Sequence, residues 1–308
     1  MSTASHDPAS EGRLNMSAGI ASVAVSLLLV LLKLWALAAT GALSVAATLA
    51  DSALDLLMSA GGLLAIVYAQ KPADEDHAFG HSSAEDLAAL AQAVFIGVSA
   101  GVIAVAAVRR LLAPAPPELG AEGVGALVLV LSVVLTVALV VWQRRVARRT
   151  GSAVVRADSL HYLGDLVPNL GGLLALWASA ALGLTRVDSV VALGAAAFMA
   201  LGAAGIGKRA FDALMDRRAD PEVIAGIEAI ARSHPGVRGF HDLKTRVAGS
   251  RVFVNLHVEL DGTQTLDEAH AIGASLRRAI LAAYPRADVL IHKDPIGVHR
   301  HPDDPRNR

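Results

Sequence analysis

Six apolar stretches, each close to the length a helix needs to cross a lipid bilayer, constrain this chain more than any other feature, because two of them carry several acidic or histidine side chains away from their ends. A helix of about 20 apolar residues spans the hydrocarbon core. The stretches run over roughly 16–38, 42–69, 87–110, 120–142, 155–182 and 187–209. With 54% hydrophobic residues, 4% aromatic and a mean hydropathy of +0.50, the chain is too apolar for a water-soluble domain unless much of that surface faces lipid. The lipid bilayer is therefore its expected partner. In hydrocarbon a helix satisfies its own backbone groups, so the reading is an all-α bundle of six transmembrane helices.

The segments between the spans are punctuated as loops: "QKPADEDHAFGHSSAED", the proline-rich "LLAPAPPELGAE" and the arginine-rich "QRRVARRTGSAVVRAD". The opening "MSTASHDPASEGRLN" lacks the basic head and apolar core of a cleavable signal, so the first apolar run is read as the first span. Six crossings put both termini on one side. Arg13, Lys71, the arginines of 144–156, Lys208, Arg209, Arg217 and Arg218 fall on that side, whereas Arg109, Arg110 and Arg186 fall on the other. The positive-inside bias then makes both termini cytoplasmic. A net charge of −1 with segregated charges offers nothing for nucleic acid, and the absence of cysteine excludes disulfides and thiolate metal sites.

After Leu214 the pattern becomes that of a soluble domain. A helix opens at Asp220 and Pro221, a strand is expected near 237–247, and "VFVNLHVEL" alternates as a strand. A helix near 265–284 and a strand near 287–292 complete an αββαβ order, an α+β fold. The expected organisation is a cytoplasmic N-terminal tail (1–15), a six-span transmembrane domain (16–213), a cytoplasmic metal-binding domain (214–295) and a flexible C-terminal tail (296–308).

A charged side chain inside a span costs about 2.5–3.5 kcal/mol on insertion scales, so it calls for a use. In the second span Asp51 and Asp55 share a helix face, and in the fifth His161 and Asp165 do the same. The two stretches also echo one another: "DSALDLLMSAGGLLA" from Asp51 and "HYLGDLVPNLGGLLA" from His161 share Asp-Leu and Gly-Gly-Leu-Leu-Ala at equal spacing. Three carboxylates and an imidazole make four ligands, the number a tetrahedral zinc site takes. The competing reading is that the acids neutralise Lys33, though one lysine cannot pair three carboxylates. Asp158, three residues before His161, reads as a helix-start residue. Pro168 and Gly171–Gly172 could let the fifth span bend, or simply pack closely.

Two further groups of ligand types stand outside the spans. "PADEDHAFGH" holds Asp74, His77 and His81, which could wrap one ion or be the ordinary charge of a polar loop. The soluble domain holds His241, His257, His270, His292 and Asp294; His257 lies on the polar face of its strand, and His292 and Asp294 would share a face if the last strand reaches them. His299 and His301 lie in a tail without ordering signals.

These motifs together resemble the cation diffusion facilitator family, specifically its bacterial zinc and iron efflux branch, from about Leu14 to Pro295. "LADSALDL" and "RADSLHYLGD" are similar to the family's motifs in spans two and five, which implies Asp51, Asp55, His161 and Asp165 as the transport site. "PADEDHAFGH" resembles the loop of a second site, with Asp74, His77 and His81. "HDLKTR", "VNLHVEL", "EAHAIG" and "IHKDP" resemble the binuclear site of the cytoplasmic domain, with His241, His257, His270, His292 and Asp294. The resemblance further implies a homodimer in the bacterial inner membrane, a metallochaperone-like cytoplasmic domain, and exchange of divalent metal for protons. Bacterial relatives place a dimer-locking lysine shortly after the loop motif; Ser83 stands there, although its expected partner, Asp216, is present.

The expected function is thus a transporter and not an enzyme: an exporter of divalent metal, zinc foremost, with cadmium, iron, cobalt, nickel and manganese also compatible with nitrogen and oxygen ligands. A membrane-anchored metal sensor or a passive cation channel would be the alternatives. Acids inside the spans argue against an anchor, and one compact site argues against a channel, whose ligands would be spread along a pore.

Overall fold

A computed structural model of the protein describes residues 8–40, 43–112, 123–166 and 187–297. It divides into two compact units, one of 11–211 and one dominated by 212–308. In the first unit the helices are α1 (Pro8–Thr40), α2 (Leu43–Ala69), α3 (Ser83–Leu112) and α4 (Gly123–Thr150), followed by α5, described over 153–166, and α6 (Val187–Leu214). Among the described residues four helices have the length and apolarity to cross a membrane: within α1, α2, α3 and α4. Pro168, Gly171 and Gly172 lie outside the described residues.

All six helices of this unit meet in one core. Ala18, Ile66, Ala93, Val146, Val154 and Ile206, one from each helix, are buried together. The outward faces are just as apolar: Leu57, Leu64, Val94, Val98, Val102 and Leu201 are exposed, as expected where the surrounding solvent is hydrocarbon. Small residues bring α5 and α6 close, since a Cβ on Gly202 would stand 2.7 Å from Leu160 Cδ2. The α4–α5 turn is made by Gly151 at φ 73°, whose N–H bonds the Ala147 carbonyl at 3.0 Å. Ser152 then caps α5 by accepting from the Val155 N–H at 3.4 Å.

That cap corrects the reading of Asp158 as a helix-start residue. The helix begins five residues earlier, at 153, and Asp158 is buried in the bundle. A small capping serine after a left-handed glycine had already supplied the start signal, leaving the aspartate free for another task.

The second unit has the order α7 (Pro221–Ser233), β1 (Gly239–Ala248), β2 (Arg251–Leu260), α8 (Leu266–Ala283) and β3 (Ala287–Pro295). The strands form one sheet in the order β1-β2-β3; β1 and β2 pair antiparallel as a hairpin, and β2 and β3 pair parallel across the α8 connection. Ile227 and Ala231 of α7 and Leu276 and Ile280 of α8 cover the face made by Val254, Leu256, Val258 and Leu260 in the buried core. Asp220 occupies the cap position of α7 without a side-chain capping bond, with Pro221 in the first turn. Helix α8 instead has a full capping box: Thr265 Oγ1 accepts from Glu268 N at 3.3 Å, and Glu268 accepts from Thr265 N at 2.8 Å. That backbone bond holds the Glu268 carboxyl below its ordinary range.

Leu276 is fully buried against this sheet, so Leu276→Ala should cost about 2–5 kcal/mol of local stability. Amide exchange along β2 in the full chain should accelerate by at least about tenfold, at 1.4 kcal/mol per decade. Exchange at the wild-type rate would show that α8 is not what protects the sheet.

Candidate metal centres

Within the membrane unit, ligand atoms of Asp55, His161 and Asp165 all lie within 4.8 Å of one another. Helical periodicity explains the convergence: α2 presents Asp55, and α5 presents His161 and Asp165 one turn apart. His161 Nε2 stands 2.9 Å from Asp55 Oδ1 and 3.8 Å from Asp165 Oδ2. The imidazole is buried, while the two carboxylates are half-buried. Phe95 contacts the imidazole edge-on at 5.8 Å between ring centres. Asp51 lies one turn earlier on α2, exposed and outside this grouping. Lys33, the alternative partner for the acids, gives its Nζ hydrogen to Ser52 Oγ at 2.6 Å.

The loop between α2 and α3 gathers Asp74, His77 and His81 within the same 4.8 Å limit. Asp74 Oδ2 lies 3.2 Å from His81 Nε2, and its Oδ1 lies 3.3 Å from His77 Nδ1. The loop closes because Gly80 takes φ 83° and bonds back to the His77 carbonyl at 2.9 Å. The His77 backbone N–H, at 2.7 Å from Asp74 Oδ1, is the main reason the Asp74 carboxyl sits below its ordinary range. His81 is buried, stacked edge-on to Tyr68 at 4.6 Å, while Asp74 and His77 are exposed.

In the second unit the strand register does the gathering. His241 pairs with His257 across β1 and β2, and His257 with His292 across β2 and β3, so three imidazoles form one row across the sheet. Asp294 sits beneath that row: its Oδ2 is 2.9 Å from His257 Nδ1 and 3.4 Å from His241 Nε2, and its Oδ1 is 3.2 Å from His292 Nε2. The strand does reach Asp294, since β3 runs to Pro295. His270 lies on α8 and is outside this grouping among the described residues of the single chain. His299 and His301 lie outside the described residues.

Two acids of this cluster escaped the sequence reading. Glu259 Oε1 is 3.0 Å from His241 Nδ1; it lies two residues from His257 on the same strand face, a spacing that could have identified it. Asp242 approaches His257 Nε2 to 3.9 Å because the register shifts between His241 and Lys244 and Asp242 takes φ 46°. No strict alternation of residues predicts such a bulge. Asp216, at φ 56°, is bonded by Arg246 Nη1 at 3.1 Å within the same unit.

Comparison with known proteins agrees with this architecture. Residues 19–215 match the family model of the cation efflux transmembrane domain, and residues 219–296 that of the cation efflux protein cytoplasmic domain. The chain belongs to the cation efflux, or cation diffusion facilitator, family. Members are membrane transporters, and the helical membrane unit followed by an αββαβ domain is the family architecture. The chain is 41% identical over 289 residues to the cation-efflux pump FieF of Klebsiella pneumoniae, covering 94% of this chain and 95% of that protein. It is equally similar, 41% over 289 residues with the same coverage, to cation-efflux pump FieF of Escherichia coli strain K12 / DH10B. A solved metal-bound C-terminal domain of the CzcD transporter from Thermotoga maritima is 26% identical, covers 26% of this chain and 93% of that chain, and superposes with a TM-score of 0.25.

If this cluster of the cytoplasmic domain holds metal, Asp294→Asn should remove most of the zinc-dependent gain in thermal stability, since one carboxylate meets three imidazoles. Glu259→Gln should weaken zinc binding by about 10–100-fold, the usual effect of losing a carboxylate that orients a ligating histidine. Both are read from melting of the full chain with and without zinc. An unchanged zinc response in Asp294→Asn would remove the cluster as a metal site.

Proposed function

We propose that this protein exports a divalent metal cation, zinc foremost, across the bacterial inner membrane in exchange for protons, working as a homodimer with both termini in the cytoplasm. The observation that carries the proposal is the convergence of Asp55, His161 and Asp165 inside the helical bundle. Asp51, one turn along α2, is the fourth ligand of the proposed transport site, joining as the ion arrives. Nitrogen and oxygen donors in a set of four suit zinc, and also admit cadmium, iron(II), cobalt, nickel and manganese.

The geometry supports exchange directly. At 2.9 Å, His161 Nε2 and Asp55 Oδ1 share a hydrogen between them. Those same two atoms are the donors a metal ion needs, so the ion must displace the hydrogen. Metal and proton thus compete for one place, and alternating exposure of that place to the two sides couples their flows. Names of relatives support the cargo class, since two proteins 41% identical to this chain are called cation-efflux pumps.

The remaining clusters take supporting roles in this reading. Asp74, His77 and His81 form a second metal site. The row of His241, His257 and His292 with Asp294, assisted by His270, forms a metal site of the cytoplasmic domain that strengthens dimer association. With Ser83 in the place of a locking lysine and Asp216 engaged by Arg246, more of that association falls to bound metal.

Reconstitution into sealed vesicles tests the proposal. Zinc flux should require an opposing pH gradient and should vanish in Asp55→Ala while the protein remains folded. Retained flux in Asp55→Ala would move the transport site elsewhere. Flux indifferent to the gradient would point to a channel, and binding without flux to a sensor.

A further inference from the structure

Beside the proposed transport site lies a second polar layer that the exchange mechanism above does not use. Asp158 Oδ2 accepts hydrogen bonds at 2.6 Å from Ser22 Oγ and at 2.6 Å from Gln143 Nε2. The Ser22 and Ser59 hydroxyls lie 2.9 Å apart, and Ser59 and Tyr162 Oη 2.8 Å apart. Each hydroxyl can direct its one hydrogen to the next, from Tyr162 to Ser59 to Ser22 to Asp158. The layer thereby joins α1, α2, α4 and α5. Ser59 is one helical turn from Asp55 on α2, and Asp158 one turn from His161 on α5.

Every member of the layer is buried, Asp158 at 6% exposure and Gln143 at 0%. Two oxygens nevertheless have no hydrogen-bond partner among the described residues: Asp158 Oδ1 and Gln143 Oε1. Asp158 makes no ion pair with a lysine or arginine among the described residues, and no hydrogen bond with any of the four proposed ligands. The groups facing it from α1, α2 and α4 are the neutral Ser22, Ser59 and Gln143; on its own helix Tyr162 faces it. The nearby ionisable groups that act on it are His161 and Asp55. A buried carboxylate without a cation is costly, and so is a buried acceptor without a hydrogen. One proton on Oδ1 removes the charge and turns the unpartnered oxygen into a donor.

We propose that Asp158 is a second proton-carrying carboxyl of the transport cycle, protonated when the neighbouring metal site is empty and ionised when it is filled. This rests on the exchange reading above. A divalent ion one turn away supplies more positive charge than His161, the one basic group named as acting on Asp158, can offer. As metal binds, the O–H bond at Oδ1 breaks and its proton passes to water; as metal leaves, the carboxylate takes a proton back from water. The protein thereby moves one proton beyond those displaced from the metal ligands themselves.

The test counts protons per zinc in vesicles containing the full chain, with zinc flux and internal pH read together. Asp158→Asn keeps the shape and can still accept from Ser22, so zinc flux should persist while the ratio of protons to zinc falls by about one. An unchanged ratio in Asp158→Asn, alongside proton counterflow in the wild type, overturns this proposal and leaves the exchange reading intact. No proton counterflow in the wild type overturns both. Should Asp158→Asn fail to assemble, Gln143→Met offers a second arm, measured as proton release on zinc binding in detergent. Losing the Gln143 N–H that favours the ionised carboxyl should move that release to higher pH, and an unmoved pH profile contradicts the proposal.

Discussion

Everything in the membrane unit depends on the cost of placing ionisable groups among apolar helices. Hydrocarbon offers no hydrogen bonds, so each such group needs a partner within the protein, in a polar cavity or in a cargo ion. The contact of His161 Nε2 with Asp55 Oδ1 at 2.9 Å is the central instance. It joins two helices distant in sequence, and it does so through atoms that are also the proposed metal ligands. Packing serves this contact: the glycine of α6 at 202 admits Leu160 of α5, and the six-helix core formed around Ile66, Val146 and Val154 holds both helices in place. A bundle so arranged can be stable without metal and still prefer it.

The three ligand clusters use the same chemistry in three mechanical settings. In the bundle, ligands come from rigid helices and the imidazole is buried, which suits a site that must exclude water. In the α2–α3 loop, a left-handed glycine and an exposed aspartate make a site open to solvent. In the small domain, strand register lines up three imidazoles, and a bulge brings in Asp242. Such a sheet-borne row is stiff and surface-facing, with His292 exposed and His241 buried. These differences agree with the proposed roles, one cargo site and two sites that act on the assembly.

Much of this was legible from residue patterns because two periodicities carry the information. The turn-apart spacing of His161 and Asp165 places them on one helix face, and alternation in "VFVNLHVEL" puts His257 opposite the core. Both readings need only local geometry. Asp158 was misread because its helix starts at a glycine–serine turn five residues earlier, and its partners, Ser22 and Gln143, belong to helices far along the chain. Glu259 was within reach of the alternation already in hand. Asp242 was not, since a bulge with φ 46° breaks the alternation that strand reading assumes. The ends of the elements also lay beyond pattern: α1 begins at Pro8, and β3 runs to Pro295, where pairing with Leu260, and not hydropathy, sets the limit.

The central claim is that one ion is held between α2 and α5 by three carboxylates and one imidazole. Zinc-edge X-ray absorption measures this directly, on full-length protein whose loop and cytoplasmic clusters have been removed by Asp74→Ala, His81→Ala, His257→Ala and Asp294→Ala. The account predicts a four-coordinate shell of one nitrogen and three oxygens at about 2.0–2.2 Å, with the imidazole signal lost in His161→Ala. A six-coordinate, oxygen-only shell, or a spectrum unchanged by His161→Ala, would contradict it.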